Sequence, residues 1–179
     1  MSGDVILAID PATRSGVADG APGSAPRLSV ENFRHDETDD LADIYGRATF
    51  WLADRLRTNP PTLIVIEAPV PPSGAKGFTN HSTTMVTIGL FGIFVGIAKC
   101  KGIVVRTVHI ATWRKHFLGR GNLPGDEAKR QCVKMCRMFD WGAPDHNAAE
   151  AAGIWSWGRS QLTPKLARRV EPLLVEAGK

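Results

Sequence analysis

The chain has 179 residues, 43% hydrophobic and 22% charged, which suits one sizeable core and excludes two ordinary domains, a disordered chain or a fibrous repeat. Its net charge of +4 is unevenly divided: residues 1–100 carry 8 basic and 11 acidic side chains (net −3), residues 101–179 carry 14 and 7 (net +7). That asymmetry nominates a polyanionic partner for the second half, although an ordinary solvated surface can be equally basic.

Val5 to Ile9 are apolar on both alternating faces, the pattern of a central strand covered on two sides, and the run ends in a charge, Asp10. Pro11 to Gly16 reads as a turn, GVADG as a second strand, residues 20–26 as a Gly/Pro/Ser/Ala loop and RLSVENF as a third strand. The acidic cluster Asp36 to Asp40 suits a helix start. Leu41, Ile44, Tyr45, Ala48, Trp51, Leu52 and Leu56 then follow at helical spacing to about Arg57, where TNPP stops the helix. Thr62 to Ile66 repeats the two-sided strand and again ends in a carboxylate, Glu67.

After the loop APVPPSGAKGF, a long helix is expected from about Asn80 to Lys101, with Gly102 as its stop. Its apolar run, Met85 to Ala98, spans 14 residues. That is short of the roughly 20 needed to cross a bilayer, so a buried helix and no membrane partner are expected. IVVRTV is a strand, ATWRKHFL a short helix, Gly119 to Gly125 a loop, and Asp126 to Met138 a basic amphipathic helix. Cys132 and Cys136 fall within that helix without a matching His or Cys pair at zinc-site spacing, so they are read as core thiols. With Cys100 they make an odd number, and MSGDVILAID lacks a basic leader and a cleavage site, so a reducing, cytoplasmic location is expected. Pro144-Asp145 opens a helix to about Trp157, and the tail from Ser160 is read as one more helix, begun near Pro164. The order β, β, β, α, β, α, β, then helices, predicts an α/β fold with a mixed sheet: a three-stranded antiparallel meander continued by two parallel strands.

Strand-end acids carry the chemical argument. A carboxylate closing a two-sided strand is costly unless it is hydrogen-bonded or bound to a cation. If the strands of Asp10 and Glu67 lie side by side in parallel, both acids emerge at one carboxyl edge, where ligands of open α/β sheets collect. Two like charges there call for a shared proton or a hard divalent ion such as Mg²⁺. In PDHNAAEAAGIWSW, His146 and Asn147 share the helical face of Glu150, and small neighbours let that helix pack closely and turn Glu150 inward. Asp145, at the helix start, can point back toward the same pocket. Each acid also has an ordinary role open to it: Asp10 as a turn residue before Pro11, Glu67 as a satisfied edge carboxylate, Asp145 as an N-cap. Converging acids would form an oxygen cage for a pair of divalent ions that activate water and stabilise the leaving oxygen of a phosphodiester.

These residues resemble the RuvC-like Holliday junction resolvases of the ribonuclease H-like superfamily, in particular the compact forms of phages and prophages. The resemblance covers about residues 4–158. ILAIDPATRSGVA is similar to the first strand with its catalytic Asp and the hairpin after it, and LIVIEAP to the strand with the catalytic Glu. IGLFGIFVGIAKCKGIVVRTVHIATWRKHFLGRGNLPGDEAKRQCV is similar to the long interface helix, the next strand and the basic, glycine-containing segment. DHNAAEAAGIW is similar to the acidic closing helix.

The resemblance implies a ribonuclease H-like five-stranded fold over residues 1–158, with 159–179 a helical tail of the same domain. It implies a homodimeric endodeoxyribonuclease of DNA recombination and repair that nicks symmetrically related strands of a four-way junction. Mg²⁺ would be its cofactor, two ions per site, with Mn²⁺ as a substitute. Asp10, Glu67, Asp145 and Glu150 become the metal ligands, and His146 an alternative ligand or proton-transfer group. Glu150 stands where the family usually has Asp, and Asn147 where many members carry Asp or His, which leaves the fourth ligand open.

Lys76, Arg114, Lys115, Arg120, Lys129 and Arg130 flank the acidic edge in sequence and are candidate phosphate contacts. The weight on Lys115 comes from the resemblance, as does the expectation that Phe78 stacks on or wedges into a base pair at the junction. Phe78 could equally pack onto the following helix. Gly89, Gly92 and Gly96 lie near one helical face and suit close approach to the sheet or to a second subunit. Two other functions fit the same residues: a broader flap or branched-DNA nuclease, and a junction-binding protein that does not cut.

Overall fold

The computed structural model describes residues 4–70 and 81–162. The strands are β1 (Ile6–Asp10), β2 (Arg14–Gly20), β3 (Arg27–Asn32), β4 (Leu63–Glu67) and β5 (Val104–Val108). Interspersed with them are α1 (Leu41–Thr58) and α2 (His81–Cys100), and after β5 come α3 (Ile110–Leu118), α4 (Gly125–Met138) and α5 (His146–Leu162). The sheet has the order β3-β2-β1-β4-β5. β1, β2 and β3 form the antiparallel meander, and β4 and β5 continue it in parallel, as the sequence pattern predicts.

Alternation along the central strands explains the three layers. Ile6 and Ala8 of β1 and Leu63 and Val65 of β4 enter a core with Trp113 of α3, Cys132 of α4 and Trp155 of α5. Leu7, Ile9, Ile64 and Ile66 point the other way, onto Ile44 and Leu52 of α1 and Leu90 and Phe94 of α2. Helix α1 begins on a reciprocal cap: Asp40 Oδ1 accepts from the Asp43 N–H at 3.0 Å, and Asp43 Oδ2 accepts from the Asp40 N–H at 3.1 Å. Cys132 and Cys136 are buried free thiols; burial pushes Cys136 up to about 11 and Cys132 higher still.

Two boundaries and the burial of one helix depart from the sequence pattern. β2 begins two residues before Gly16, because Arg14 and Ser15 already pair with Asn32 and Glu31. α5 runs past Trp157 to Leu162, where the Ser160 hydroxyl donates to the Trp157 carbonyl at 2.6 Å and the Arg159 guanidinium sits 5.3 Å from the Trp155 ring centroid. α2 is not the buried helix that was expected. Val86, Leu90, Phe94 and Ala98 form one buried stripe at four-residue spacing, while Met85 and Ile88 are 45% and 44% exposed. By length and composition its segment Thr83–Cys100 could cross a membrane, a point the 14-residue count did not anticipate. The expected C-terminal helix lies outside the described residues.

Candidate active site

Strand alternation brings the two strand-end acids together. Asp10 follows Ile6 and Ala8, and Glu67 follows Leu63 and Val65, on the face covered by α3, α4 and α5. The parallel register pairs Ala8 with Val65 and Ile9 with Ile66, so Asp10 and Glu67 end neighbouring strands at the same edge. Helix α5 crosses this face and supplies Glu150, which is 6% exposed. Two glycines allow that approach. A Cβ at Gly16, opposite Asp10 in the hairpin, would lie 2.0 Å from the Asn147 carbonyl oxygen, and one at Gly153 would lie 2.7 Å from the Trp113 ring.

The three carboxylates feel one another. Burial among protein atoms pushes the Asp10 carboxyl well above its ordinary range, and the charges of Glu67 and Glu150 add to the push against Arg114 and Lys129. Glu67 is pushed up to about 7, chiefly by burial, against the hydrogen bond it accepts from the Trp113 indole N–H. Glu150 Oε1 accepts from Arg114 Nη2 at 3.0 Å. No donor among the described residues reaches Asp10. A cleft of about 200 Å³ opens from Glu67 between Pro11, Val70 and the Thr84, Thr87 and Ile88 face of α2.

Other expected site residues stand elsewhere. Asp145 caps α5: its Oδ1 accepts from the Ala148 N–H at 3.0 Å and its Oδ2 from Arg14 at 3.1 Å. Partial burial pushes its carboxyl up, but these two donors outweigh it and hold it below its usual range. His146 is exposed and lines a different cavity, about 680 Å³, with Lys129, Arg130 and Arg137 of α4. The four acids therefore do not form the preassembled cage expected from the sequence: among the described residues no three His, Cys, Asp or Glu side chains come together at metal-binding distance. Glu67, Glu150 and Asp145 each take a protein donor, from Trp113, Arg114 and Arg14.

Arg114 is a second correction. It was expected on the DNA surface, but it is 8% exposed, paired with Glu150, and its guanidinium lies 5.4 Å from the Trp113 ring centroid. Lys115, Arg120 and Arg130 are exposed and Lys129 is half-buried, close enough for its charge to act on Asp10. Lys76 and Phe78 lie outside the described residues. Trp113 and Arg14 escaped the sequence reading. For Trp113 the available signal was an aromatic with an N–H donor directly beside a basic residue in TWRK, whereas nothing local links Arg14 to Asp145 across the chain.

A mixed sheet ordered 3-2-1-4-5, with helices on both faces, defines the ribonuclease H-like fold in its RuvC-like form. The chain is similar over 89% of its length, and 96% of the other, to RuvC of Thermus thermophilus, at 16% identity and TM-score 0.63. A second structure, T. thermophilus RuvC in complex with Holliday junction substrate, matches at 17% identity and TM-score 0.62 over 88% and 96% of the two chains. The yeast mitochondrial Holliday junction resolvase Ydc2 matches at 12% identity and TM-score 0.59, over 92% of this chain and 83% of that one. No family model and no curated protein matches the sequence.

Proposed function

We propose that this chain is a structure-selective DNA endonuclease that resolves four-way junctions by divalent-metal-dependent phosphodiester hydrolysis. The observation that carries the reading is Asp10: a carboxylate that no donor among the described residues reaches, ending its strand beside Glu67 and feeling the charges of Glu67 and Glu150 in a poorly solvated place. Such an arrangement weakens the fold unless something positive is meant to sit there. The RuvC-like fold supports the same reading, as does the junction complex described for the T. thermophilus protein.

The donor set is all oxygen and fits a hard cation, Mg²⁺ or Mn²⁺. Asp10 would hold it together with Glu67 Oε1 and Glu150 Oε2, the oxygens not taken by Trp113 and Arg114, once the cation draws in side chains that stand beyond coordinating distance without it. A bound divalent ion supplies a water of lowered pKa and a counter-charge for the departing oxygen. Around it, Lys129, Arg130 and Arg137, along the groove shared with His146, would attract backbone phosphates and keep the duplex over the acidic edge.

Two equivalent strands of a junction call for two equivalent sites, and a face of α2 that no described residue covers suits a homodimer. Met85, Ile88, Gly92 and Gly96 recur at three- and four-residue spacing; the first two are exposed apolar side chains, and the space around both glycines is open. Ile88→Glu should convert a dimer to a folded monomer in analytical ultracentrifugation, and a monomeric wild type would remove this part of the proposal.

The decisive experiment is nicking of a synthetic four-way junction with and without Mg²⁺, cut positions being mapped on all strands. Symmetric, Mg²⁺-dependent nicks that vanish in Asp10→Asn, with junction binding retained, are expected. Preference for a simple flap at equal protein concentration would replace resolution by a broader nuclease activity. Binding without cutting under any divalent ion would leave a junction-binding protein.

A further inference from the structure

Two consecutive residues of α3 each engage one acid of the site. Trp113 donates its indole N–H to Glu67 Oε2, and Arg114 donates from Nη2 to Glu150 Oε1 at 3.0 Å. Both donors are held from behind. The Trp113 ring is fully buried and lies where α5 has only Gly153. Arg114 Nη1 reaches the Leu123 carbonyl at 3.5 Å, and the loop carrying Leu123 folds back so closely that a Cβ at Gly121 would lie 2.6 Å from the Ala111 carbonyl oxygen. The Arg114 Nε is buried without a hydrogen-bond partner, a cost that its ion pair with Glu150 offsets.

We infer that Trp113 and Arg114 are a paired positioning element for the cation-binding carboxylates. Trp113 orients Glu67 and Arg114 orients Glu150, each holding one oxygen and leaving the other without a donor among the described residues. This rests on the metal-dependent reading above. Its physical basis is that a carboxylate with one oxygen fixed cannot rotate away, nor turn both oxygens to a single donor, so less ordering is left to be done when a cation arrives. Arg114 also removes one negative charge from the site while its fork fixes a direction, which a lysine ammonium cannot do.

The test uses the full chain, with Mn²⁺ as the probe. Trp113→Phe keeps the packed ring and loses the N–H; Arg114→Lys keeps the charge and loses the fork. Calorimetric Mn²⁺ affinity should fall by about 10- to 100-fold in each, as is usual when an outer hydrogen bond to a metal ligand is removed. Junction affinity in EDTA should stay at the wild-type level, and saturating Mn²⁺ should restore the cleavage rate, a split that general loosening of the fold would not produce. Wild-type Mn²⁺ affinity in the folded variants overturns the inference, and loss in only one overturns the half assigned to the other. If circular dichroism shows one variant unfolded, the other decides alone. Asp10→Asn separates the two levels: unchanged Mn²⁺ affinity there sinks the metal reading itself, whereas its loss in Asp10→Asn with retention in both α3 variants sinks only the positioning role.

Discussion

Replacing Glu67 by Gln should stabilise the protein at pH 8 in the absence of divalent ions, while abolishing cleavage. Burial raises the Glu67 carboxyl from 4.5 to about 7 in the folded chain. Below pH 4.5 it is neutral in both folded and unfolded states, so the substitution there should be almost silent. Between pH 4.5 and 7 the unfolded chain loses the proton and the folded chain keeps it, so the wild type loses stability as pH rises, and above 7 the loss is complete. At about 1.4 kcal/mol per pH unit the shift corresponds to roughly 3 kcal/mol. Glu67 retains some solvent, which screens this to about 2 kcal/mol. A chain of this size should then melt about 4–8 °C higher as the Gln variant. The glutamine carbonyl can still accept from Trp113, so the packing is preserved. Thermal melts by circular dichroism in EDTA, at pH 5 and pH 8, read the effect. Equal melting temperatures at pH 8, or a less stable variant, would refute the claim that this carboxylate is held in an unfavourable place for function.

Calorimetric titration of the metal-free protein without DNA should give about one Mn²⁺ per chain, with affinity rising as pH passes about 7 and Glu67 loses its proton. Gly16→Ala places a methyl where the Asn147 carbonyl lies 2.0 Å away; it should cost about 1–3 kcal/mol in chemical denaturation and reduce cleavage further, since α5 must shift and carry Glu150 with it. Arg130→Ala should weaken junction binding and reduce the slope of log K against log salt by about 1, with Mn²⁺ affinity unchanged.

The sheet was readable because its rules are local. Ile6 to Ile9 and Leu63 to Ile66 are apolar on both faces, and a parallel pair of such strands forces Asp10 and Glu67 to one edge. Glu150 was readable from its small neighbours, which pack α5 close enough to bury it. The partners of these acids were not readable, because a hydrogen bond between residues 46 or 36 positions apart leaves no periodicity. Arg114 shows the limit well. Its place in a basic stretch suggests solvent, but helical rotation within α3 sets it beside Trp113 on the buried face while Lys115 turns outward. Asp145 stands in its capping role for a different reason. The two roles open to it compete for the same oxygens, and the Ala148 N–H and Arg14 occupy both.

Counting charge at the site explains why a buried arginine and a third acid occur together. Asp10, Glu67 and Glu150 carry three negative charges when ionised; the Arg114 ion pair leaves a net two, which the half-buried Lys129 offsets further at Asp10. Near neutral pH a proton on Glu67 lowers this further, so the empty site is tolerable in a poorly solvated place. A divalent ion bound there in place of the proton would bring the site close to neutral. A second cation would then leave a buried excess of positive charge, which is costly unless the incoming phosphodiester brings its own negative charge. On the proposed metal-dependent reading, a second ion and the DNA would then stabilise each other's binding. Arg114 would make occupancy of the complete site depend on substrate, an outcome that three acids without the arginine would not impose.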